Sequence, residues 1–460
     1  MADGYQDDRR LRMFTVGTCW FQFFISGVFY GLSPLSLPVA SAFVGEHDVN
    51  FAGGVIFYGF AVLMAMQSIT CGVAIFCIDQ RPIIWKQRFI TSAYCVWPLG
   101  FASLALAVRI KSIWMLLALG FPLLGYSIGV QVGYLQLVLT STMWGRRVNV
   151  GQSLTGGCSA LGALSWNLIF GEVSNALGFD RVETALWIFC ALQTLAMLTG
   201  LALFNPSWYI QEKGEDSGDG EEDGDSETTT TKAKTIAELM RDWRFHLYIL
   251  VVEAFFFSGV TMKTLMSELF KKILALEYIH AVRYSAGCMA AYAVARFASP
   301  FFAFGDNVFK LFVVVLVCEG AAYSVTPWAI SLESGTGAIY TACRVVGGIG
   351  FAILKSNTAV LLVRIFGPEN VSRISGCFLL TELVVGLGPS LAFAWHVEQM
   401  RSGVSSELSY NVFFYFCAGL VLAAACGTLA LWQSTRTKGQ RKGAPNPTSS
   451  TEDHHGAHDI

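Results

Sequence analysis

The chain has 460 residues, of which 54% are hydrophobic, 13% aromatic and only 14% charged, against about 25% charged in soluble globular proteins. A soluble chain of this length divides into about three domains, and so few charges cannot clothe three separate surfaces. The formal charge of −2 excludes the basic footprint of a nucleic-acid binder, and the twelve cysteines all fall in apolar stretches, where they read as small hydrophobes and not as a disulfide scaffold.

A bilayer core takes about 20 consecutive, mostly apolar residues per helix, because hydrocarbon leaves no partner for an unpaired backbone group. Twelve runs meet this in chain order: 13–43, 51–78, 89–108, 113–142, 149–171, 183–204, 245–269, 283–304, 309–330, 338–364, 372–395 and 410–432. The first is too long for a cleavable signal peptide and is interrupted by Pro34 and Pro38, so it is expected to stay in the membrane. The predicted organisation is a cytosolic segment 1–12, a six-helix bundle 13–204, a linker 205–244, a second six-helix bundle 245–432 and a tail 433–460. With the N-terminus in the cytosol, inside segments carry 20 basic residues and outside segments seven. That bias places both termini in the cytosol. The linker core, 211–231, holds nine acids and one lysine among Ser, Thr and Gly, and both linker and tail read as disordered. His454, His455 and His458 of the tail read as solvated side chains and not as metal ligands. The chain ends without an ER-retention or peroxisomal signal, and a plasma membrane is the expected location.

Six spans, a linker and six more spans suggest a duplication, and three marks recur about 225 residues apart. Asp79, Gln80 and Arg81 follow span two as Asp306, Asn307 and Lys310 follow span eight. Between spans four and five, Trp144-Gly145 leads through Asn149-Val150 to Gly156-Gly157-Cys158. Between spans ten and eleven, Phe366-Gly367 leads through Asn370-Val371 to Ser375-Gly376-Cys377. On these marks, with Gly386-Leu387-Gly388-Pro389 and with Val294-Ala295-Arg296 before Pro300, the chain resembles the major facilitator superfamily over residues 13–432, and within it the oxalate:formate antiporters and monocarboxylate porters. The resemblance implies an all-α polytopic membrane protein whose twelve transmembrane helices form two pseudo-symmetric six-helix bundles. It also implies an intramembrane arginine, Arg296, engaging a substrate carboxylate. Three features depart from that branch: Tyr292 stands one turn before Arg296 where porters tend to have an acid, the acidic-Gly signature of span one is missing, and span eleven carries Glu382 in place of a basic residue.

Each ionisable group at mid-bilayer costs about 2.5 kcal/mol or more on insertion scales and calls for a reason. Glu253 and Lys263 lie in span seven, Arg296 in span eight, Glu319 in nine, Arg344 and Lys355 in ten and Glu382 in eleven. The first half offers amides and aromatics, among them Tyr30, Tyr58, Gln67, Tyr126, Gln131 and Tyr134. Four cations against three acids leave a surplus that an anionic substrate would neutralise. Arg344 and Lys355, eleven residues apart, share a face of span ten and form a candidate ladder for a carboxylate. The expected substrate ligands are Arg296, Lys355, Arg344, Tyr30, Gln131 and Tyr134. Glu382, Glu253, Lys263, Asp79 and Asp306 are the expected coupling or gating groups. For Arg296 the alternative is a permanent ion pair with Glu253, Glu319 or Glu382.

The expected function is a secondary carrier moving a small mono- or dicarboxylate by alternating access, as proton symport or anion exchange, working as a monomer with no cofactor and no metal. An amino-acid carrier of the same fold is the alternative, its ammonium held by Glu253 or Glu382. A non-transporting sensor and a membrane-embedded enzyme remain as further readings. No mid-span histidine, HExxH or P-loop favours the enzyme.

Overall fold

The computed structural model describes residues 19–20, 23, 33–43, 49–78, 82–130, 148–203, 234–302, 307–332, 336–367, 370–405 and 408–443. Every regular element among them is helical. In chain order these are α1 (Ser36–Phe43, entered by a 3-10 turn at Ser33–Leu35), α2 (Val49–Val73, running into a π-helical turn at Ala74–Ile78) and α3 (Ile83–Arg109). Then follow α4 (Ile113–Ile128), α5 (Val148–Leu177) and α6 (Val182–Leu203). Past the linker come α7 (Ile236–Met240), α8 (Trp243–Thr264), α9 (Met266–Ile273) and α10 (Tyr278–Ala298). The last four are α11 (Asn307–Ile330), α12 (Thr336–Phe366), α13 (Val371–Arg401) and α14 (Asn411–Gly443).

Eight described helices are long and apolar enough to cross a bilayer: α2, α3, α6, α8, α11, α12, α13 and α14. They lie at spans 2, 3, 6, 7, 9, 10, 11 and 12 of the sequence reading, and α4 marks the start of span 4. Helices α5 and α10 have the length but more polar sequences, with Gln152, Ser153, Thr155, Asn167 and Glu172 in one and His280, Arg283 and Arg296 in the other. They pack along each other, so much of this polar surface faces protein and not lipid.

The two halves meet along two long seams, α2 against α13 and α5 against α10. The duplication explains the pairing. Span two corresponds to span eight and span five to span eleven, so a two-fold exchange of the halves turns the 2–11 seam into the 5–8 seam. Within the second half, α11 packs on α12 and α14, and α8 on α13 and α14. All twelve cysteines are unbridged.

Two boundaries correct the sequence reading. Residues 205–244 are expected as one disordered linker, yet 236–240 form α7, closed by a capping box in which Thr235 accepts from the Glu238 amide and Glu238 accepts from the Thr235 amide. Asp242 then caps α8 by accepting from the Arg244 amide at 3.2 Å. The expected tail begins at 433, yet α14 runs on to Gly443. Composition averages over a window, so it passed over the short polar piece at the linker end that local caps hold in place.

The linker end docks through the recurring turn motif. Gly367, at φ 87°, ends α12 in a conformation that side-chain-bearing residues avoid. Asn370 donates to the Phe366 carbonyl at 2.8 Å and accepts from the Lys234 amide at 2.9 Å. Arg373 donates to the Lys234 carbonyl.

Candidate functional site

Arg296, near the end of α10, is 2% exposed and points into the α5 seam. Gly156 makes room for it: a Cβ there would collide with the guanidinium. Gly157 admits the neighbouring Phe297 ring in the same way. The guanidinium donates from Nη2 to the Gln152 carbonyl of the opposite half at 3.4 Å, while Nε and Nη1 have no hydrogen-bond partner among the described residues. Among the described residues no carboxylate lies within ion-pair distance of Arg296, so the expected alternative of a permanent bridge to Glu253, Glu319 or Glu382 is not what this structure contains.

Lys263 and Lys355 lie close enough to Arg296 to interact with it electrostatically. Lys263, 3% exposed, places Nζ 3.5 Å from the Tyr292 ring centroid and 5.5 Å from that of Phe351. Half-buried Lys355 sits 4.9 Å from the Phe256 ring centroid and 5.9 Å from that of Phe351. Aromatic faces stabilise these ammonium groups without neutralising them. Tyr292, at the position where the resembled porters tend to have an acid, thus serves as a π-face for Lys263.

Glu382 of α13 accepts from Gln67 Nε2 of α2 at 2.9 Å, a buried polar bond across the second seam, and also interacts electrostatically with Lys355. Glu253 accepts from the Thr381 hydroxyl through Oε1, leaving Oε2 without a hydrogen-bond partner among the described residues. It is near enough to Glu382 for the two carboxylates to repel. The structure therefore gathers Arg296, Lys263, Lys355, Glu382 and Glu253 around the junction of the two seams.

Arg344 lies elsewhere, inside the second bundle. Nη2 donates to Thr326 at 2.6 Å, and the guanidinium is flanked by the rings of Phe414, Tyr323 and Tyr340 at 4.8, 5.2 and 5.4 Å. Tyr323 donates to the fully buried Glu319 at 2.9 Å. Arg344 and Lys355 do share a face of α12 with Phe351 between them. They nevertheless meet different neighbours, because the helices that cross α12 change along its length. Tyr30, Gln131, Tyr134, Asp79 and Asp306 lie outside the described residues.

One constellation escaped the sequence reading. Near the end of α13, His396 contacts Ser409 through Nδ1 at 2.5 Å and Lys272 of α9 through Nε2 at 2.6 Å. It stacks on Tyr410 at 4.6 Å, and Lys272 pairs with Glu268 at 3.0 Å. Since an ammonium can only donate, Nε2 is the acceptor and Nδ1 carries the proton. These residues are separated by 13 and 124 positions in the chain, so no local spacing announces them.

Among solved structures, the chain resembles the human organic anion transporter MFSD10 (TETRAN), at 13% identity and a TM-score of 0.58, with 92% of this chain and 99% of that one covered. It also resembles a bacterial homolog of the human lysosomal transporter Spinster, solved in an inward-facing and unoccupied conformation. There the identity is 15% and the TM-score 0.60, with 96% and 99% of the two chains covered. No family model matches the sequence, and no curated protein does. The chain thus has the major facilitator fold, two six-helix bundles over nearly its whole length.

Proposed function

We propose that the chain is a secondary transporter that moves a small organic anion, a mono- or dicarboxylate, across the membrane by alternating access of its two halves, with both termini in the cytosol. The observation that carries the reading is Arg296: a buried guanidinium at the boundary between the halves, without a carboxylate partner among the described residues. A guanidinium stays charged at any working pH and matches a carboxylate in bidentate geometry. Lys263 and Lys355 add positive potential beside it. The organic anion transporter among the structural neighbours fits the same substrate charge. Protons or exchanged anions would balance the translocated charge, with Glu382 and Glu253 as candidate carriers of a proton.

Purified protein in liposomes should accumulate labelled oxalate, formate, lactate or pyruvate, and Arg296→Gln should abolish saturable uptake while the protein still reaches the membrane fraction. Wild-type kinetics in that variant would remove Arg296 from the site. Oε2 of Glu253, beside Glu382 and without a hydrogen-bond partner among the described residues, favours one second reading, an amino-acid substrate with its ammonium held there. Competition by neutral amino acids but not by simple carboxylates would select it.

A further inference from the structure

On the side opposite the linker, two contacts between the halves converge on one lysine, Lys272 of α9. Helix α9 packs on the Ser33–Leu35 turn of the first half, where the Ser267 amide donates to Ser33 Oγ at 3.1 Å. The Lys272 ammonium also lies 5.3 Å from the ring centroid of Phe393. Phe393 is the ring that α13 presses onto α2: it meets Phe57 with centroids 5.2 Å apart, and a Cβ at Gly53 or Gly54 would crowd it. What holds Lys272 here is His396, about one turn beyond Phe393, whose Nε2 accepts from the ammonium at 2.6 Å, together with Glu268, which pairs with it at 3.0 Å. His396 is 5% exposed. Among the described residues the charge acting on it is that of Lys272, and no carboxylate lies within ion-pair distance of it. Ser409 and the stacked Tyr410 face it from the approach to α14, with Tyr340 of α12 in electrostatic reach of Tyr410. From α2, Phe57 brings no charge, and Glu398 and Arg401 further along α13 pair with each other at 3.9 Å.

We propose that His396 is a proton-operated latch: its neutral imidazole fastens Lys272 and keeps this side of the molecule closed, and uptake of a proton releases it. A neutral imidazole accepts at one nitrogen and donates at the other, whereas an imidazolium only donates. Protonation therefore turns the bond to Lys272 into a contact between two cations. The π-face of Tyr410 and the Glu268 carboxylate, which is already paired with Lys272, offset part of that repulsion and leave the rest. The closed arrangement excludes a proton from Nε2, while an opened one exposes the imidazole to water, where it titrates near 6.5. By linkage, acid favours opening, and the ratio of open to closed molecules should rise about tenfold from about pH 7.5 to about 5.5. The latch rests on the reading that the halves part on this side, but it is read as a distance and not as uptake, so the two can fail separately.

The test places spin labels on a full-length, cysteine-free background through Arg181→Cys in the first half and Ser402→Cys in the second, both exposed and on this side. Distance distributions are recorded by double electron–electron resonance in lipid nanodiscs at the two pH values. The longer-distance population should gain at the lower pH by the ratio given above. His396→Gln keeps an acceptor for Lys272 but cannot take up the proton, and its distribution should not change with pH. Lys272→Gln keeps a donor for His396 but removes the like charge, and its response should shrink; it decides the matter if His396→Gln does not fold. His280→Gln, an exposed histidine at the start of α10, should respond as the parent does. Equal distributions at the two pH values would overturn the proposal, as would a full response in His396→Gln or in Lys272→Gln. Loss of the response in His280→Gln with its retention in His396→Gln would place the titrating group elsewhere and overturn it equally.

Discussion

At the scale of single residues, Gly156 and Arg296 are one device split between the halves. The guanidinium fits against α5 because position 156 has no side chain. Gly156→Ala should therefore push Arg296 out of the seam at an overpacking cost of about 1–3 kcal/mol. Uptake should fall toward that of Arg296→Gln, while circular dichroism stays helical. Unaltered uptake would show that Arg296 does not need this seat. Arg296 was legible in the sequence because a mid-span charge calls for a reason. Its seat was not, since in the sequence Gly156 is one more small residue of an apolar helix. Gln67 and Glu382 were each legible as polar groups in apolar runs, but their pairing spans 315 positions and only the folded seam supplies it.

At the scale of elements, the linker end shows how local chemistry overrides composition. Asp242 holds α8 by capping its first turn and pairs with Arg244 at 2.5 Å and Lys234 at 3.3 Å. Burial opposes its charge, yet the hydrogen bonds and positive charge of Arg244, with help from Lys234, hold its carboxyl well below the usual carboxylate range. A depressed folded pKa stabilises the docked state above the ordinary value and loses that stabilisation as pH falls through the folded one. Amide exchange over 234–243 should accordingly stay flat from pH 8 to about 5, after correction for intrinsic rates, and protection should weaken only below about 4. Asp242→Ala should remove the cap, costing about 1 kcal/mol, and raise exchange at neutral pH. Equal protection in that variant would assign the docking to Asn370 and Arg373 alone. The helices themselves were legible from apolar run length. Their ends were not: α8 breaks at Leu265 and continues as α9, within what reads as one apolar run over 245–269.

At the scale of the whole molecule, contacts between the halves also close the side opposite the linker. The Ser267 amide donates to Ser33 Oγ at 3.1 Å, Tyr278 donates to the Pro34 carbonyl at 2.7 Å, and Arg283 pairs with Glu172 at 2.8 Å. Alternating access would have to open these contacts once per cycle. In a cysteine-free background, a Ser33→Cys, Ser267→Cys pair should form a crosslink under oxidation, block uptake and regain it on reduction. Full uptake by the crosslinked protein would show that this side need not open.

The sequence by itself determined the class of environment, the apolar runs on which the eight described membrane-length helices lie, and the charges that are buried in the second half. Each of these follows from local quantities, since a bilayer sorts segments by length and polarity before any segment meets another. The tertiary structure alone decided how the charges divide. Arg296, Lys263 and Lys355 gather with Glu382 where the seams converge, while Arg344 turns to Thr326, Tyr323 and Phe414 inside one bundle. Helical spacing puts Arg344 and Lys355 on one face, but which helices cross that face, and at what height, is set by packing between segments far apart in the chain.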